Sequence, residues 1–427
     1  MEKHYDLVGV GIGPFHLSLA ALMQKVDGTK SLFLDQKKAF HWHSELMFAD
    51  ADMQTSYLKD LVTPVDPTNP HSFLNYLVSQ GLFYSFMNTN RKVVTRHEFE
   101  HYCQWVSEQL GQNLKFGSHI DSVDFKNEKF VIQTNTEKFT STNLSIATGL
   151  LPRIPECALG LIGDKVFHAK SKALADVDLT DKRVLVIGGG QTGVEVFTNA
   201  LQGKWGRVKK IRLISRRQNL EPLDESPFTN EYFTPNYVES FYPISQESKG
   251  PIVSSQKLAS DGNTPEYLNR LYNYLFQLKH VHEDPMDFKI LPYRNFVDLT
   301  KTETGYKATL LNNFEHVQEV LEADVVILST GFNIDIPKIF DPIKSMINFD
   351  GQGRFIVKRN FDLDWKGPAK NKIYALNFSR HRHGIAEPQT SLMAWRSATI
   401  VNDMVQKEIY RINHSTPCFV QYGKIND

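Results

Sequence analysis

Residues 5–23 read YDLVGVGIGPFHLSLAALM, and the order of their parts decides the fold. A short β-prone run, residues 7–10, enters a glycine-rich turn, and an apolar helix-like segment leaves it. Gly9, Gly11 and Pro14 occupy the three places of a G-x-G-x-x-G turn. The first glycine permits the tight turn, and the second lets a pyrophosphate approach the backbone at a helix N-terminus. Pro14 stands where the third glycine is expected; its fixed φ and missing N–H suit the first helical turn. About 20 residues on, SLFLD places Asp35 at the end of a second strand, where a carboxylate can bind a ribose 2′-hydroxyl. Glycine-rich turns also join ordinary βα units, so it is the succession of strand, turn, helix and acid that points to a dinucleotide.

A second copy lies at residues 181–201, DKRVLVIGGGQTGVEVFTNAL. The strand Arg183–Ile187 runs into Gly188, Gly190 and Gly193 at the same spacing, with Gln191 opening the helix. The next strand, KKIRLISRR, ends in Ser215, Arg216 and Arg217 instead of an acid. A carboxylate there would repel a 2′-phosphate, whereas a serine and two arginines can hold one, so this site is expected to prefer NADP(H). The plainer reading of two adjacent arginines is a solvated strand end. An acid after the first turn and arginines after the second imply two different nucleotides, with FAD at the first and NADPH at the second the economical assignment.

NLSIATGL (143–150) and DVVILSTGF (324–332) are buried-strand patterns that run into Thr148-Gly149 and Thr330-Gly331. They are the crossover points expected of a chain that leaves one sheet to build a second domain and later returns, although either alone reads equally as an ordinary strand end. The fold class is therefore α/β, two Rossmann-like dinucleotide-binding domains with a small, mainly helical insertion. Residues 1–170 and 332–427 form the FAD-binding domain, 171–222 and 285–331 the NADPH-binding domain, and 223–284 the substrate-binding insertion. The insertion is polar and aromatic-rich, and its second half reads as a helix opened by Thr264, Pro265 and Glu266.

Composition excludes other classes. Lys plus Arg number 48 and Asp plus Glu 48, a formal net charge of zero that removes the electrostatic case for a nucleic-acid binder. Charged residues at 22% and hydrophobic ones at 41% exclude a disordered chain. Cys103, Cys157 and Cys418 are far apart with no CxxC, so neither a disulfide framework nor a cysteine metal site is expected. No apolar run reaches the roughly 18 to 20 residues of a membrane span, and the N-terminus lacks a signal-peptide pattern, so a cytoplasmic protein is expected.

Over nearly its whole length the chain resembles the flavin-dependent N-hydroxylating monooxygenases of siderophore biosynthesis, and it looks closest to the lysine N6-monooxygenase branch. The stretches that carry the resemblance are GVGIGPFHLSLAAL (9–22), FHWH (40–43), MQTSYLKDLV (53–62), PTNPHSFLNYL (67–77), GGGQTGVE (188–195), NEYFTP (230–235), QKLASDG (256–262) and HGIAEPQTSLMAWRSA (383–398). Pro14 in the third glycine place is usual in that family. The resemblance implies that NADPH reduces FAD, that O₂ adds to give a C4a-hydroperoxyflavin, and that a neutral primary amine attacks its distal oxygen, giving a hydroxylamine for a hydroxamate siderophore used in iron acquisition. The cofactor carries the hard step. A lysine ε-amine, with a reference pKa of about 10.4, must be bound where its charge is disfavoured.

Carried over by position, Gly9, Gly11, Gly13 and Pro14 are implied to hold the FAD pyrophosphate, Trp42 and His43 to lie near the isoalloxazine, and Met53 and Gln54 to contact the flavin side. Lys59 matches a lysine that binds the substrate carboxylate, and Asn230 an asparagine that meets substrate and nicotinamide. His383, Gly384 and Ser391 fall in the loop that approaches the flavin. On the residues alone, Lys59 beside Asp60 reads equally as a surface ion pair, Trp42 as core and His383 as a structural histidine. The resemblance favours L-lysine as substrate. Histamine, putrescine, cadaverine and ornithine stay open, because NFSRHRHG (377–384) departs from the lysine branch and relatives acting on decarboxylated amines keep the LKDLV lysine. Family members are commonly dimers or tetramers, so a homo-oligomer is expected.

Three other classes compete. A flavin reductase passing electrons to a disulfide needs a cysteine pair, which is absent. A monooxygenase of carbonyl or sulfur compounds is only faintly echoed by KVFHAK (165–170). An NADP(H)-binding flavoprotein without amine hydroxylase activity, or an NADP(H) sensor, predicts no amine-dependent NADPH consumption.

Overall fold

A computed structural model describes residues 3–412 and 419–424, so Cys418 lies outside the described residues. Both glycine-rich turns follow the first strand of a parallel βα unit. In the first sheet, Lys3–Val10 pairs in parallel with Ser31–Leu34 on one side and Lys138–Ile146 on the other. Leu114–Lys115 extends the sheet beyond Ser31–Leu34. Lys129–Thr134 and Ile120–Lys126 add antiparallel strands beyond Lys138–Ile146, and the late strand Ile373–Ala375 returns to pair with Lys138–Ile146. The last four residues of Lys3–Val10 are buried because both sheet faces are covered, which is why that run is continuously apolar where a half-exposed strand would alternate. Helix Pro14–Met23 buries every residue except Phe15, lying between the sheet and the C-terminal helix Met393–Val405. Full burial of Leu17, Leu19 and Leu22 contributes about 1.5–3 kcal/mol each.

The second sheet is parallel throughout, in the order Val166–His168, Val325–Leu328, Arg183–Ile187, Lys210–Ile214, Asp287–Leu291. Its strands alternate between two cores, as a period of two requires. Val184 and Val186 join Val194 and Phe197 of the following helix, while Leu185 and Ile187 pack with Leu299, Ala308 and Leu310 of an antiparallel meander, Arg294–Thr302, Gly305–Asn312 and Val317–Ala323. The two crossover segments meet: Phe332–Asn333 pairs antiparallel with Leu151–Pro152. The architecture is thus the α/β, two-Rossmann arrangement that the fingerprints imply.

Residues 223–284 are helical, with the turn Thr229–Phe233 and helices Pro235–Phe241, Gln246–Ser255, Leu258–Asp261 and Pro265–Phe276. The last buries Tyr267 and Leu271 in the second core as it carries the chain from Lys210–Ile214 to the parallel strand Asp287–Leu291. Parallel neighbours need such a crossover, so by packing this helix belongs to the second core. No helix among the described residues is long and apolar enough to cross a membrane.

Candidate active site

The first turn is shaped by close approach of backbones. Gly11 has φ +91°, and a Cβ there would stand 2.6 Å from the carbonyl oxygen of Ala147. At Gly9 a Cβ would collide with the Phe33 ring, whereas at Gly13, the N-cap of helix Pro14–Met23, it would meet nothing within 4 Å. Asp35 braces the turn: Oδ2 accepts from Ile12 N at 2.7 Å and Oδ1 from Lys37 N at 2.9 Å. Lys37 Nζ in turn donates to Ile12 O at 2.9 Å and lies 3.5 Å from Asp35 Oδ2. Sequence reading passed over His16, which is fully buried behind the turn, its Nδ1 2.5 Å from Gly11 O and Nε2 2.7 Å from Ser145 Oγ. Burial lowers its pKa to about 4 against the pull of Gly11 O, so the ring is neutral, with Nδ1–H donating and Nε2 accepting from the serine. Its only sequence signal is an ionisable residue inside a helix whose other residues are all uncharged.

Residues 53–60, Phe73, Val94, the helix Arg96–Gln109 and the turn Thr390–Leu392 come together around one cleft, with Glu231 of the insertion acting on its Lys59. The Trp42 ring lies 4.5 Å from His43 and 5.3 Å from Phe99, and Phe99 lines the cleft together with Met53, Tyr57, Lys59 and Thr390. Thr390 Oγ1 donates to Thr55 Oγ1 at 3.2 Å, joining the C-terminal turn to the strand Asp52–Ser56 that carries Met53 and the exposed Gln54. Asp60 turns inward, accepting from Val62 N, Thr63 N, Thr63 Oγ1 and Phe73 N at 2.6–2.9 Å. The opposing charge that acts on Lys59 is Glu231, next to the exposed Asn230 on the insertion. Burial lowers the Lys59 pKa and Glu231 partly restores it. Glu231 is a second residue that the sequence does not single out, since it stands there only as one position of NEYFTP.

His43 adopts φ 54° and is held at a pKa of about 3, first by burial and then by Lys170, Arg96 and Lys37. With Lys170, Arg96 and Lys37 acting on a neutral imidazole, the surroundings of His43 suit an anion or an electron-rich ring. His383 is placed differently, in an aromatic sandwich, stacked 4.4 Å from Phe361 and 5.1 Å from Tyr242, with Nε2 3.3 Å from Arg359 O. Burial holds its pKa at about 3. Gly384 follows at φ +83°, with Tyr237 filling the space where a Cβ would point. Glu387 and Arg396, also not singled out from sequence, organise this loop. Glu387 accepts from Asn377 N at 2.7 Å, and Arg396 pairs with Glu387 at 3.1 Å while covering the Phe15 ring at 4.3 Å.

At the second turn, a Cβ on Gly188 (φ +128°) would lie 2.1 Å from Ser329 O, and one on Gly193 1.8 Å from Gly188 O, whereas Gly190 is open. Gly189 is equally constrained, since its Cβ would lie 2.3 Å from Ser215 Oγ. Ser215 is buried, with Oγ accepting from Arg217 N at 3.2 Å; Arg216 is exposed, and Arg217 reaches back to Asp261 O at 2.8 Å. Gln191 faces the protein interior, donating to Glu195 Oε1 at 2.9 Å and accepting from Thr264 N at 2.8 Å. Glu195 receives a two-pronged pair from Arg96 at 2.8 and 2.9 Å, tying the two nucleotide halves together.

The residues present fit two dinucleotides. His43 Nδ1, Thr148 Oγ1 and Ser391 Oγ at the first site and Ser329 Oγ at the second are buried without a partner among the described residues. A nucleotide bound at either turn would bring polar atoms to these groups, whose hydrogen-bonding capacity is unused.

A family model described as L-lysine 6-monooxygenase/L-ornithine 5-monooxygenase matches residues 3–334. The chain is 38% identical to the L-lysine N6-monooxygenase of Escherichia coli over 99% of each chain. It is 29% identical to a putrescine N-hydroxylase of Acinetobacter baumannii, covering 96% of this chain and 91% of that one. The FAD-bound crystal structure of a cadaverine monooxygenase of desferrioxamine biosynthesis from Erwinia amylovora superposes with a TM-score of 0.91 over 100% of both chains at 25% identity. With a family model matched over residues 3–334 and 38% identity to a lysine enzyme over 99% of each chain, the chain belongs to the L-lysine 6-monooxygenase/L-ornithine 5-monooxygenase family.

Proposed function

We propose that the protein is an FAD- and NADPH-dependent monooxygenase that N-hydroxylates a primary amine with O₂ for siderophore biosynthesis, and that the amine is L-lysine N6. The observation that favours lysine over a diamine is the 38% identity to a lysine enzyme over 99% of each chain. Lys59, a half-buried cation in the cleft walled by Met53, Tyr57 and Phe99 and faced by Glu231, does not decide between them, because it is shared with relatives that take decarboxylated amines. Lys59 binds the α-carboxylate, and Glu231 with Asn230 receives the α-ammonium, leaving the ε-amine to extend along the apolar wall. Full-length identity to a lysine enzyme supports the same substrate.

In this reading Gly9, Gly11, Gly13 and Pro14 carry the FAD pyrophosphate, with Asp35 and Lys37 bracing the turn. Trp42, His43, Met53, Gln54, Gly384 and Ser391 border the flavin, and His383 positions its loop by stacking on Phe361. Gly188, Gly190, Gln191 and Gly193 carry the NADPH pyrophosphate, and Ser215, Arg216 and Arg217 its 2′-phosphate. Bound FAD supplies oxygen activation and NADPH the electrons. The chain's part is to hold the ε-amine neutral and aimed. Met53, Val94, Phe99 and Tyr102 exclude water from it, and the ammonium form is disfavoured by that apolar wall and by Lys59. The domain division set out from sequence, save that helix Pro265–Phe276 packs in the second core, a homo-oligomer and a cytoplasmic location are part of the same proposal.

A second reading has one observation in its favour: Glu231 can equally receive the distal ammonium of a diamine such as cadaverine. The experiment is hydroxylamine formation with parallel NADPH and O₂ consumption, in FAD-supplemented enzyme, over lysine, ornithine, cadaverine, putrescine and histamine. Hydroxylamine stoichiometric with NADPH for lysine alone supports the proposal. The same result for cadaverine alone replaces it with the second reading, and NADPH consumption yielding only H₂O₂ with all five amines removes the amine assignment.

A further inference from the structure

We infer that Lys257 of the insertion and Arg380 of the C-terminal loop complete the 2′-phosphate site that Ser215, Arg216 and Arg217 begin. The inference rests on the reading of residues 188–193 as the NADPH turn. Arg217 leaves the nucleotide strand and donates from Nη2 to Asp261 O at 2.8 Å, with Nε 3.7 Å from Glu221. Arg380, in the segment 377–384 that departs from the lysine branch, approaches the same short helix, Leu258–Asp261, donating to Ser260 Oγ at 3.2 Å and facing Asp261 Oδ2 at 3.6 Å. Arginines 163 residues apart in sequence therefore grip one turn of the insertion. Lys257 stands directly before that turn, and its carbonyl accepts from Asp261 N at 2.9 Å.

Three features mark this as a site for a multiply charged anion. Arg217 Nη1 and Arg380 Nε are buried without a partner among the described residues, so each guanidinium has donor capacity left over. Lys257 lies within the field of Arg217, Arg216 and Arg380, with Asp261 the carboxylate opposing them; burial first, then these cations, lower its pKa. Arg217 pairs with Glu221 and Arg380 with Asp261, and Lys257 and Arg216 add two further positive charges, an excess that matches a phosphomonoester of about −1.5 to −2 at neutral pH. The position is also right, because a 2′-phosphate sits past the end of the strand after the glycine turn, and Ser215 is packed against that turn through Gly189. Arg380 further links phosphate binding to the loop that continues to His383 and Gly384.

The test is calorimetric titration of the full-length, FAD-loaded protein with 2′,5′-ADP and with 5′-AMP at low salt. Lys257→Met and Arg380→Met are each expected to weaken 2′,5′-ADP about tenfold, the scale of one charge-assisted contact, while 5′-AMP changes less than twofold. Lys257→Arg is expected to recover most of the loss, and retained flavin absorbance reports that each variant is folded. Should Arg380→Met fail to fold, Arg380→Lys, which keeps the charge but loses the fork, is expected to weaken 2′,5′-ADP several-fold. If Lys257→Met and the arginine variant both bind 2′,5′-ADP like the parent while Arg216→Ala loses it, this inference is overturned and the NADPH reading stands. If Arg216→Ala and Arg217→Ala also bind 2′,5′-ADP unchanged, the NADPH reading falls with it.

Discussion

Arg96→Met is expected to be among the most damaging single changes outside the cleft. Arg96, at the start of helix Arg96–Gln109, donates through both terminal nitrogens to Glu195 on the helix that follows the second glycine turn, and also to Leu46 O at 3.0 Å. The Glu195 side chain is 0% exposed and that of Arg96 14% exposed. Removing one member of a buried pair strands the other in a low-dielectric interior, at a cost of about 3–5 kcal/mol. The pair Arg91–Glu98, with side chains 34% and 36% exposed, is the internal control: Arg91→Ala should cost about 0.2–1 kcal/mol. The loss in Arg96→Met should depend on pH. Burial raises the Glu195 pKa and Arg96 pulls it back, so without Arg96 it rises further. A group whose folded pKa is raised contributes stability that is fully present below the unfolded value, about 4.3 for glutamate, and lost as pH rises through the folded value. The variant should therefore lie nearest the parent near pH 5 and furthest from it near pH 8. Urea unfolding at both pH values, followed by tryptophan fluorescence and flavin release, measures this. The double variant Arg96→Met, Glu195→Met should recover most of the deficit, since no charge is left stranded. A loss below about 1 kcal/mol, or one equal at the two pH values, would refute the reasoning.

Gly11→Ala should abolish FAD retention, because φ +91° and the 2.6 Å approach to Ala147 O leave no room for a methyl group, while Gly13→Ala should keep it; the flavin absorbance of purified protein distinguishes them. Gly193→Ala, whose Cβ would meet Gly188 O at 1.8 Å, should raise the KM for NADPH at least tenfold without loss of bound flavin, and an unchanged KM would remove that close packing from the NADPH site. Lys59→Met should raise the KM for lysine by about tenfold or more and leave that for cadaverine within a few-fold; no change for lysine would take Lys59 out of the substrate site. Because burial holds the Lys59 pKa below its ordinary value, the parent's KM for lysine should begin to rise at a lower alkaline pH than in Lys59→Arg. His16→Ala, which leaves Gly11 O and Ser145 Oγ without their buried partner, should cost about 1–3 kcal/mol for each stranded group and loosen FAD, read as flavin lost on gel filtration.

The amino-acid sequence by itself determined the two glycine turns, the strands and helices that flank them, the return of the chain through Thr148-Gly149 and Thr330-Gly331, and the family. These are legible because they are local: a period of two or of 3.6, a glycine required by a positive φ, or a charge at a strand end acts within a few residues of where it is read. Only the tertiary structure decided which partner each polar group takes. Asp60 adjoins Lys59 in sequence, yet its oxygens close on Val62, Thr63 and Phe73, and the charge opposing Lys59 is Glu231, more than 170 residues on. Arg217 reads as a strand end but grips Asp261, and Gln191 opens a phosphate turn yet holds Glu195 and Thr264. Gly189, Arg96 and Glu195 carry no local signal of these contacts, because their importance comes from backbone or charge delivered by segments far away in the chain. A buried polar group must be satisfied by whatever packing brings within about 3 Å, and packing is a property of the folded whole.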